Sequence, residues 1–294
     1  MNGIIIVNKE KGLTSHDVVN KIRRIFNTKQ VGHLGTLDPL AEGVLAICIN
    51  DATKLVQFLS DHDKKYIATV CLGKSTDTYD LEGSIISSKI VNDIDVNKID
   101  LILNSFLGET LQTPPIYSSI KVDGKKLYEY ARNNEAVYIE PRKIFIHSIK
   151  RISNLEYKDD CCYFDIEVLV SKGTYIRSLC FDIGKKLNIP SLMAGLIRTE
   201  LGNFSLKNAS LISEIELGNY RLYSKLEALQ NFKYIDEEGC INKAKAGMKI
   251  SINKIRELIN DTPDRIVIKK QDELIAIYDL NKELKCYKAV RVWN

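Results

Sequence analysis

The stretch Gln30 to Leu45, QVGHLGTLDPLAEGVL, sets one carboxylate, Asp38, beside Pro39 in a turn punctuated by Gly32, Gly35 and Gly43. Proline fixes its own φ and drives the preceding residue toward an extended conformation, while glycine reaches backbone geometries closed to other residues. A loop of this kind can hold a carboxylate rigidly enough to serve as nucleophile or base. Leu-Asp-Pro-Leu equally makes an ordinary Asx or β-turn, and the loop alone does not choose between them. Further acids stand at Asp77, Asp80 and Glu82 in GKSTDTYDLEG. Their order and spacing miss the calcium-loop pattern, so a solvated loop or a substrate contact is expected there. In SKGTYIRSL, Arg177 stands at the start of a helix, placed either to reach a site shared with another loop or to lie on the surface. Thr113 to Arg132, TPPIYSSIKVDGKKLYEYAR, interleaves tyrosines with Lys121, Lys125, Lys126 and Arg132. That mixture suits nucleic acid, since rings stack on bases while cations meet phosphates; packing explains Tyr128 and Tyr130 equally well.

The elements that must carry these groups follow from hydrophobic periodicity. GIIIVN at Gly3 to Asn8 reads as a buried strand. Thr14 or Ser15 caps a helix with Val18, Val19, Ile22, Ile25 and Phe26 on its apolar face and Lys21, Arg23 and Arg24 opposite. Strands are expected at Gly43 to Ile49 and Lys65 to Leu72, the second beginning at Tyr66, with a helix capped by Asp51 between them. Asp95 caps an amphipathic helix closed by Gly108. Strands follow at Ile144 to Ile152 and Cys162 to Ser171, then a helix capped by Thr174 and an apolar segment, Ser191 to Phe204, containing Leu196 and Arg198. Character changes near Gln230. Beyond it, Arg265 to Ile268, Leu274 to Tyr278 and Val290 to Trp293 read as strands of a small domain, so the boundaries are placed at 1–230 and 231–294.

At 294 residues the chain is long enough to bury a substantial core in one or two domains. With 45% hydrophobic and 27% charged residues, disordered and fibrous classes are excluded. No apolar run reaches the roughly 18 residues that span a bilayer and no signal peptide opens the chain, so no membrane partner and a cytoplasmic location are expected. Seven cysteines without a CxxC pair read as buried thiols, with Cys161 and Cys162 on opposite faces of a strand. Neither metal nor cofactor is called for. The net charge of +4 is unevenly spread. Leu111 to Arg151 holds 8 basic residues, Arg142 among them, against 4 acids, and Asn242 to Arg256 carries Lys243, Lys245, Lys249, Lys254 and Arg256 with no acid. Such patches suit a polyanion, though any one of them also fits a solvated face.

GHLGTLDPLAEGVL, KKYIATVCLGKSTDTYDLEG, PPIYSSIKVDGKKLYEYAR and SKGTYIRSL, in this order, resemble the TruB family of pseudouridine synthases, over about Gly3 to Phe204. NKEKGLTS departs from it at Glu10, where the family commonly has proline. The resemblance implies an α+β fold, with a mixed, largely antiparallel central sheet, flanking helices and a small C-terminal β-rich PUA-like domain. It also implies isomerisation of uridine to pseudouridine at position 55 in the T-stem loop of tRNA, with no cofactor. Carried over by motif, the catalytic aspartate falls on Asp38, the substrate-contacting histidine on His33 and the active-site tyrosine on Tyr66. Tyr175 and Arg177 come from GTYIR, and Leu196 is a pocket leucine. Arg177 would pair with Asp38. The basic insertion, about 111–151, would grip the T-arm and the C-terminal lysines the acceptor stem, in a monomer needing no protein partner. Two rivals are a glycosidase-like hydrolase, which normally needs a second carboxylate, and a non-catalytic RNA-binding protein or chaperone.

Overall fold

The structure, a computed structural model, describes residues 1–293; Asn294, the last residue of the expected second domain, lies outside the described residues. The chain forms two compact units, Ile5–Arg221 and a smaller one made of Met1–Ile4 with Leu222–Asn294. The expected break at 230/231 therefore moves to 221/222. The reason is local packing. A short helix at Lys225–Ala228 lies against a strand of the C-terminal sheet, and the Tyr234 hydroxyl donates to the Leu226 carbonyl at 2.7 Å. Gly3 joins the same unit because a Cβ there would sit 2.6 Å from the Tyr223 carbonyl.

The strand β1 (Gly3–Lys9), a run of buried Ile and Val that enters the larger unit at Ile5, leads into α1 (Ser15–Ile25). Thr14 caps α1 in a capping box with Asp17, which satisfies donors the first helical turn leaves open. The chain continues through β2 (Val31–His33), β3 (Glu42–Ile49), α2 (Val56–Leu59), β4 (Lys64–Leu72), β5 (Lys74–Thr76) and β6 (Ile85–Ser88). Then come α3 (Val96–Asn104), β7 (Gly108–Gln112), the hairpin β8 (Lys121–Val122) and β9 (Lys125–Lys126), and α4 (Leu127–Arg132). Strands β10 (Arg142–Arg151), β11 (Glu156–Lys158) and β12 (Cys161–Val170), helix α5 (Ile176–Leu187), strands β13 (Ser191–Leu201) and β14 (Phe204–Ser205) and helix α6 (Ile212–Glu216) complete it.

The central sheet runs β1-β3-β13-β4-β12-β10-β7, with β2 on β3, β11 on β12 and β14 on β13. The β13 to β3 pairing is parallel, whereas β13 to β4, β4 to β12, β12 to β10 and β10 to β7 are antiparallel, giving the mixed, largely antiparallel sheet expected. One face of β12 buries Phe164, Ile166 and Val168 in a core shared with α1, α3 and α5. Cys161 and Cys162 fall into separate apolar clusters, as alternation along a strand requires.

Some expected caps differ. Asp51 does not hold the N-cap position; it lies inside a 3-10 turn, Asn50–Leu55, where it pairs with Lys54. Tyr175, not Thr174, is the N-cap residue of α5, because the Thr174 hydroxyl donates to the Ser171 carbonyl and closes the preceding turn. Helix α3 ends at Ser105, ahead of Gly108, which opens β7 instead.

In the smaller unit β15 (Leu222–Tyr223), α7 (Lys225–Ala228), β16 (Lys233–Ile235), α8 (Glu238–Lys245), β17 (Ile250–Ser251) and α9 (Ile252–Ile259) precede β18 (Arg265–Lys270), β19 (Glu273–Asn281) and β20 (Cys286–Val292). A five-stranded sheet orders as β16-β18-β19-β20-β17 over a core that includes Ile241, Ile255, Ile268 and Tyr278. This is the small β-rich domain the sequence suggested. Its last strand begins four residues earlier than expected, at Cys286, because Cys286 and Tyr287 are buried on β19. Among the described residues no helix is long and apolar enough to cross a membrane.

Candidate active site

The loop after β2 brings Asp38 to a cleft of about 520 Å³ in the larger unit. The cleft wall also carries Tyr66 from β4, Leu196 from β13, and Tyr175 and Arg177 from the start of α5. Four segments far apart in the chain thus converge. They do so because β4 and β13 are sheet neighbours, with Tyr66 opposite Arg198 and Ala68 opposite Leu196.

The Asp38 loop is tied down from three directions. The Ser15 hydroxyl donates to the Leu37 carbonyl at 3.1 Å and accepts from the Leu37 amide at 2.9 Å. Lys9, fully buried at the end of β1, donates to the carbonyls of Leu13 at 2.6 Å, Glu10 at 3.1 Å and Pro39 at 3.2 Å. Burial lowers the Lys9 pKa, partly offset by the charges of Glu42 and Asp38. Gly12 donates its amide to the Pro39 carbonyl at 2.9 Å, so the NKEKG entry turn, Glu10 included, closes on the catalytic loop. Arg198, also fully buried, donates to the carbonyls of Val44 at 2.7 Å, Gly35 at 3.0 Å and Thr36 at 3.4 Å. Gly43, at φ +100°, leaves no room for a side chain: a Cβ would meet the Arg198 carbonyl at 2.3 Å.

Arg177 is the expected partner of Asp38. Its Nε lies 2.9 Å from Asp38 Oδ2, an ion pair whose geometry falls outside a hydrogen bond. The guanidinium side chain is only 7% exposed, whereas the Asp38 side chain is 41% exposed to the cleft. The remaining Arg177 nitrogens donate to the Thr78 and Tyr117 carbonyls, each at 3.1 Å, and Nη1 stands 3.4 Å from Asp80 Oδ2. Asp80 is buried, and its Oδ1 accepts from the Thr78 hydroxyl at 2.6 Å and the Glu82 amide at 3.0 Å. The acidic loop is thus not merely solvated, since one of its acids is the second counter-charge of Arg177.

Tyr175 is placed by its main chain. Its amide donates to Gln112 Oε1 at 2.8 Å, and its carbonyl accepts from Gln112 Nε2 at 3.0 Å. Burial and then the nearby Asp38 charge raise the Tyr175 pKa, keeping the phenol neutral. The Tyr66 ring is buried while its hydroxyl has no hydrogen-bond partner among the described residues. His33 is not part of the cleft wall. It sits on β2 beside the loop, where its Nδ1 accepts from the Gly35 amide at 3.2 Å, and burial, then the Arg198 charge, lowers its pKa.

The basic residues divide. Tyr128 lines the cleft with Lys126 and Arg132 over its ring, whereas Tyr130 packs beneath the hairpin, donating to the Val122 carbonyl at 3.0 Å. Lys125 is taken up by Glu135 at 2.5 Å, while Lys121 and Arg142 are exposed. In the smaller unit Lys243, Lys245 and Lys249 are all exposed, on α8 and just after it. The sequence reading did not find Lys9 or Gln112, and it named Asp80 and Arg198 without their structural roles. Each acts through backbone atoms or partners distant in sequence, and only the buried charge of Lys9 and Arg198 amid apolar strands offered a signal.

Comparison with known proteins gives the family. The family model described as TruB family pseudouridylate synthase (N terminal domain) matches residues 23–176. Proteins named tRNA pseudouridine synthase B from Staphylococcus aureus strains Newman and JH9 are 45% and 44% identical over 293 residues, covering 94% of each chain. Among solved structures, a chain of an H/ACA RNP bound to a substrate RNA containing 2′-deoxyuridine superposes with a TM-score of 0.71 at 21% identity, over 99% of this chain and 85% of that one. One from a Cbf5-Nop10-Gar1 complex gives 0.70 at 23% identity, over 99% and 84%; at such identities the likeness concerns the fold. With a family model across more than half its length and a relative 45% identical over 94% of it, the chain belongs to the TruB family of pseudouridylate synthases.

Proposed function

We propose that this pseudouridine synthase isomerises uridine to pseudouridine in tRNA, at position 55 of the T-stem loop, by means of Asp38. The observation that carries the reading is the Asp38 to Arg177 pair: a carboxylate open to the cleft, held by a buried guanidinium that a second acid already compensates. Such a carboxylate, held at the cleft and open to it, is free to act on a ribose carbon. Either Asp38 attacks C1′ as the N1 to C1′ bond breaks, or it removes the C2′ proton and a glycal forms. In both routes the freed uracil rotates and C5 bonds to C1′, displacing the Asp38 carboxylate from its ester in the first route, and with Asp38 returning the proton to C2′ in the second. Loss of the C5 proton, balanced by protonation of N1, then restores the ring, so no external reactant is consumed.

A uridine stacked in an RNA loop is out of reach of Asp38, so the base must be extruded into the cleft. Tyr66 offers a ring to stack on and an unengaged hydroxyl for the final proton transfer, which a phenol performs only with help. Tyr175 and Leu196 wall the pocket. His33, outside the cleft wall, contacts the RNA around the extruded nucleotide or fills the space left behind. Lys121, Lys125, Lys126, Arg132 and Arg142 grip the T-arm, and Lys243, Lys245 and Lys249 the acceptor stem. The protein acts as a cytoplasmic monomer.

Incubation with unmodified tRNA, followed by position-resolved detection of pseudouridine, tests this reading. Product at position 55 is expected, and its absence with folded protein refutes the assignment.

A further inference from the structure

The cleft is lined by two kinds of positive charge. Arg177 is balanced by Asp38 and Asp80, whereas Lys64 and Arg198 have no carboxylate partner among the described residues. These two cations converge on one point of the catalytic loop. A Cβ at Gly35 would lie 3.7 Å from both Arg198 Nη1 and Lys64 Cε. Lys64 also stands two residues before Tyr66 on β4, so the two side chains leave the same face of the strand and both line the cleft.

We propose that Lys64 and Arg198 form a phosphate subsite for the RNA chain, which takes a phosphodiester adjoining the extruded uridine. Lys64 makes the direct contact. Arg198, with its donors committed to three carbonyls, supplies field rather than a hydrogen bond. The proposal rests on the reading of this cleft as the uridine site.

Purely structural lysines are ordinarily paired when they lose water. Here the ammonium donates to the His62 carbonyl at 2.7 Å and to nothing else among the described residues. The two nearby acids on the loop before β4 are occupied, Asp61 by Lys172 at 2.5 Å and Asp63 by His147 at 3.1 Å. Burial and then the Arg198 charge push the Lys64 pKa down to about 8, with Lys172 lowering it further and Asp63 and Asp61 opposing. A phosphodiester beside the ammonium reverses that balance, so RNA binding and protonation of Lys64 favour each other.

The test measures dissociation constants in an Asp38→Asn background, where RNA binds without turning over. The probes are a T-arm stem-loop RNA and two copies in which the linkage 5′ or 3′ to the target uridine is a neutral methylphosphonate. One neutral linkage should weaken binding about tenfold, the scale of a lost charge-assisted hydrogen bond. Lys64→Gln should bind the native RNA that much more weakly and lose less than about twofold more from the same linkage. Lys64→Arg should restore binding. Between pH 7 and pH 9 affinity should fall as Lys64 loses its proton, and Lys64→Arg should remove that part of the fall; titration of the RNA itself is common to both proteins. This second arm decides the matter if Lys64→Gln does not fold. Native affinity in folded Lys64→Gln, an unaltered response to both neutral linkages, or an identical pH profile in Lys64→Arg would overturn the subsite. An Asp38-intact enzyme that forms no pseudouridine in this RNA fails the functional reading instead, whereas active enzyme with uncoupled Lys64 fails only the subsite.

Discussion

Arg177 serves two carboxylates at once, and in the proposed mechanism that ratio leaves Asp38 able to act. With Asp80 buried against the guanidinium, the positive charge stays compensated even when Asp38 turns toward a ribose carbon. Asp38→Asn should therefore fold normally and bind tRNA while losing turnover by about 10⁴-fold or more, since the lost group is the one that touches the reacting atoms. Single-turnover assays beside a binding isotherm check both halves. Arg177→Lys keeps the charge but not the fork that meets two acids and two carbonyls, so the rate should fall by about 10²-fold with little change in affinity. Equal losses in rate and affinity would contradict a positioning role. Asp38, Tyr66, Tyr175, Arg177 and Leu196 were legible because motifs carry residue type and order. Asp80 was not, since three acids in a polar loop look alike until one of them turns inward.

Among the elements, the parallel contact between β3 and β13 matters most, because it closes the catalytic loop against Arg198. Gly43→Ala places a methyl 2.3 Å from the Arg198 carbonyl at a positive φ, which should cost about 3 kcal/mol. For a unit of this size that lowers the melting temperature by roughly 6–12 °C, with a loss of rate in the surviving folded protein. Calorimetry and activity on the same sample would show it; an unchanged melting temperature would mean the strands yield without strain. Helix α5 carries a separate signal. Burial raises the Asp182 pKa to about 6, with Lys185 and Lys186 opposing, so the protonated form is the stabilising one. That contribution is complete below the unfolded value near 4 and lost as the pH rises through about 6. Asp182→Asn should accordingly melt higher than the parent at pH 7.5, with the gap closing by pH 4. The capping box of α1 and the alternation of β12 were legible because they are local. The turn at Asn50–Leu55 and the Tyr175 cap were not, since Asp51 and Thr174 each had another partner within three residues.

Across the whole molecule, the proposed function divides chemistry and grip between the two units. Every residue of the cleft lies in Ile5–Arg221, while the smaller unit adds a core of its own and a run of exposed lysines. The boundary was misplaced by nine residues because the helix at Lys225–Ala228 has no compositional mark; only its packing on β19 assigns it. The charge distribution was more informative. A chain with a net charge of only +4 gains its attraction for a polyanion from where its lysines sit, not from their number. Lys243, Lys245 and Lys249 touch none of the catalytic groups, so replacing all three by Gln should leave single-turnover chemistry at saturating tRNA unchanged. Affinity should fall about tenfold or more near 0.1 M salt, and the slope of log affinity against log salt should flatten by about 2, because each phosphate contact releases its own counterion. Filter binding across a salt series reads both quantities. A weakened affinity with an unchanged slope would show that these lysines act on the fold of the small unit, and an unchanged affinity would show that the RNA never reaches them.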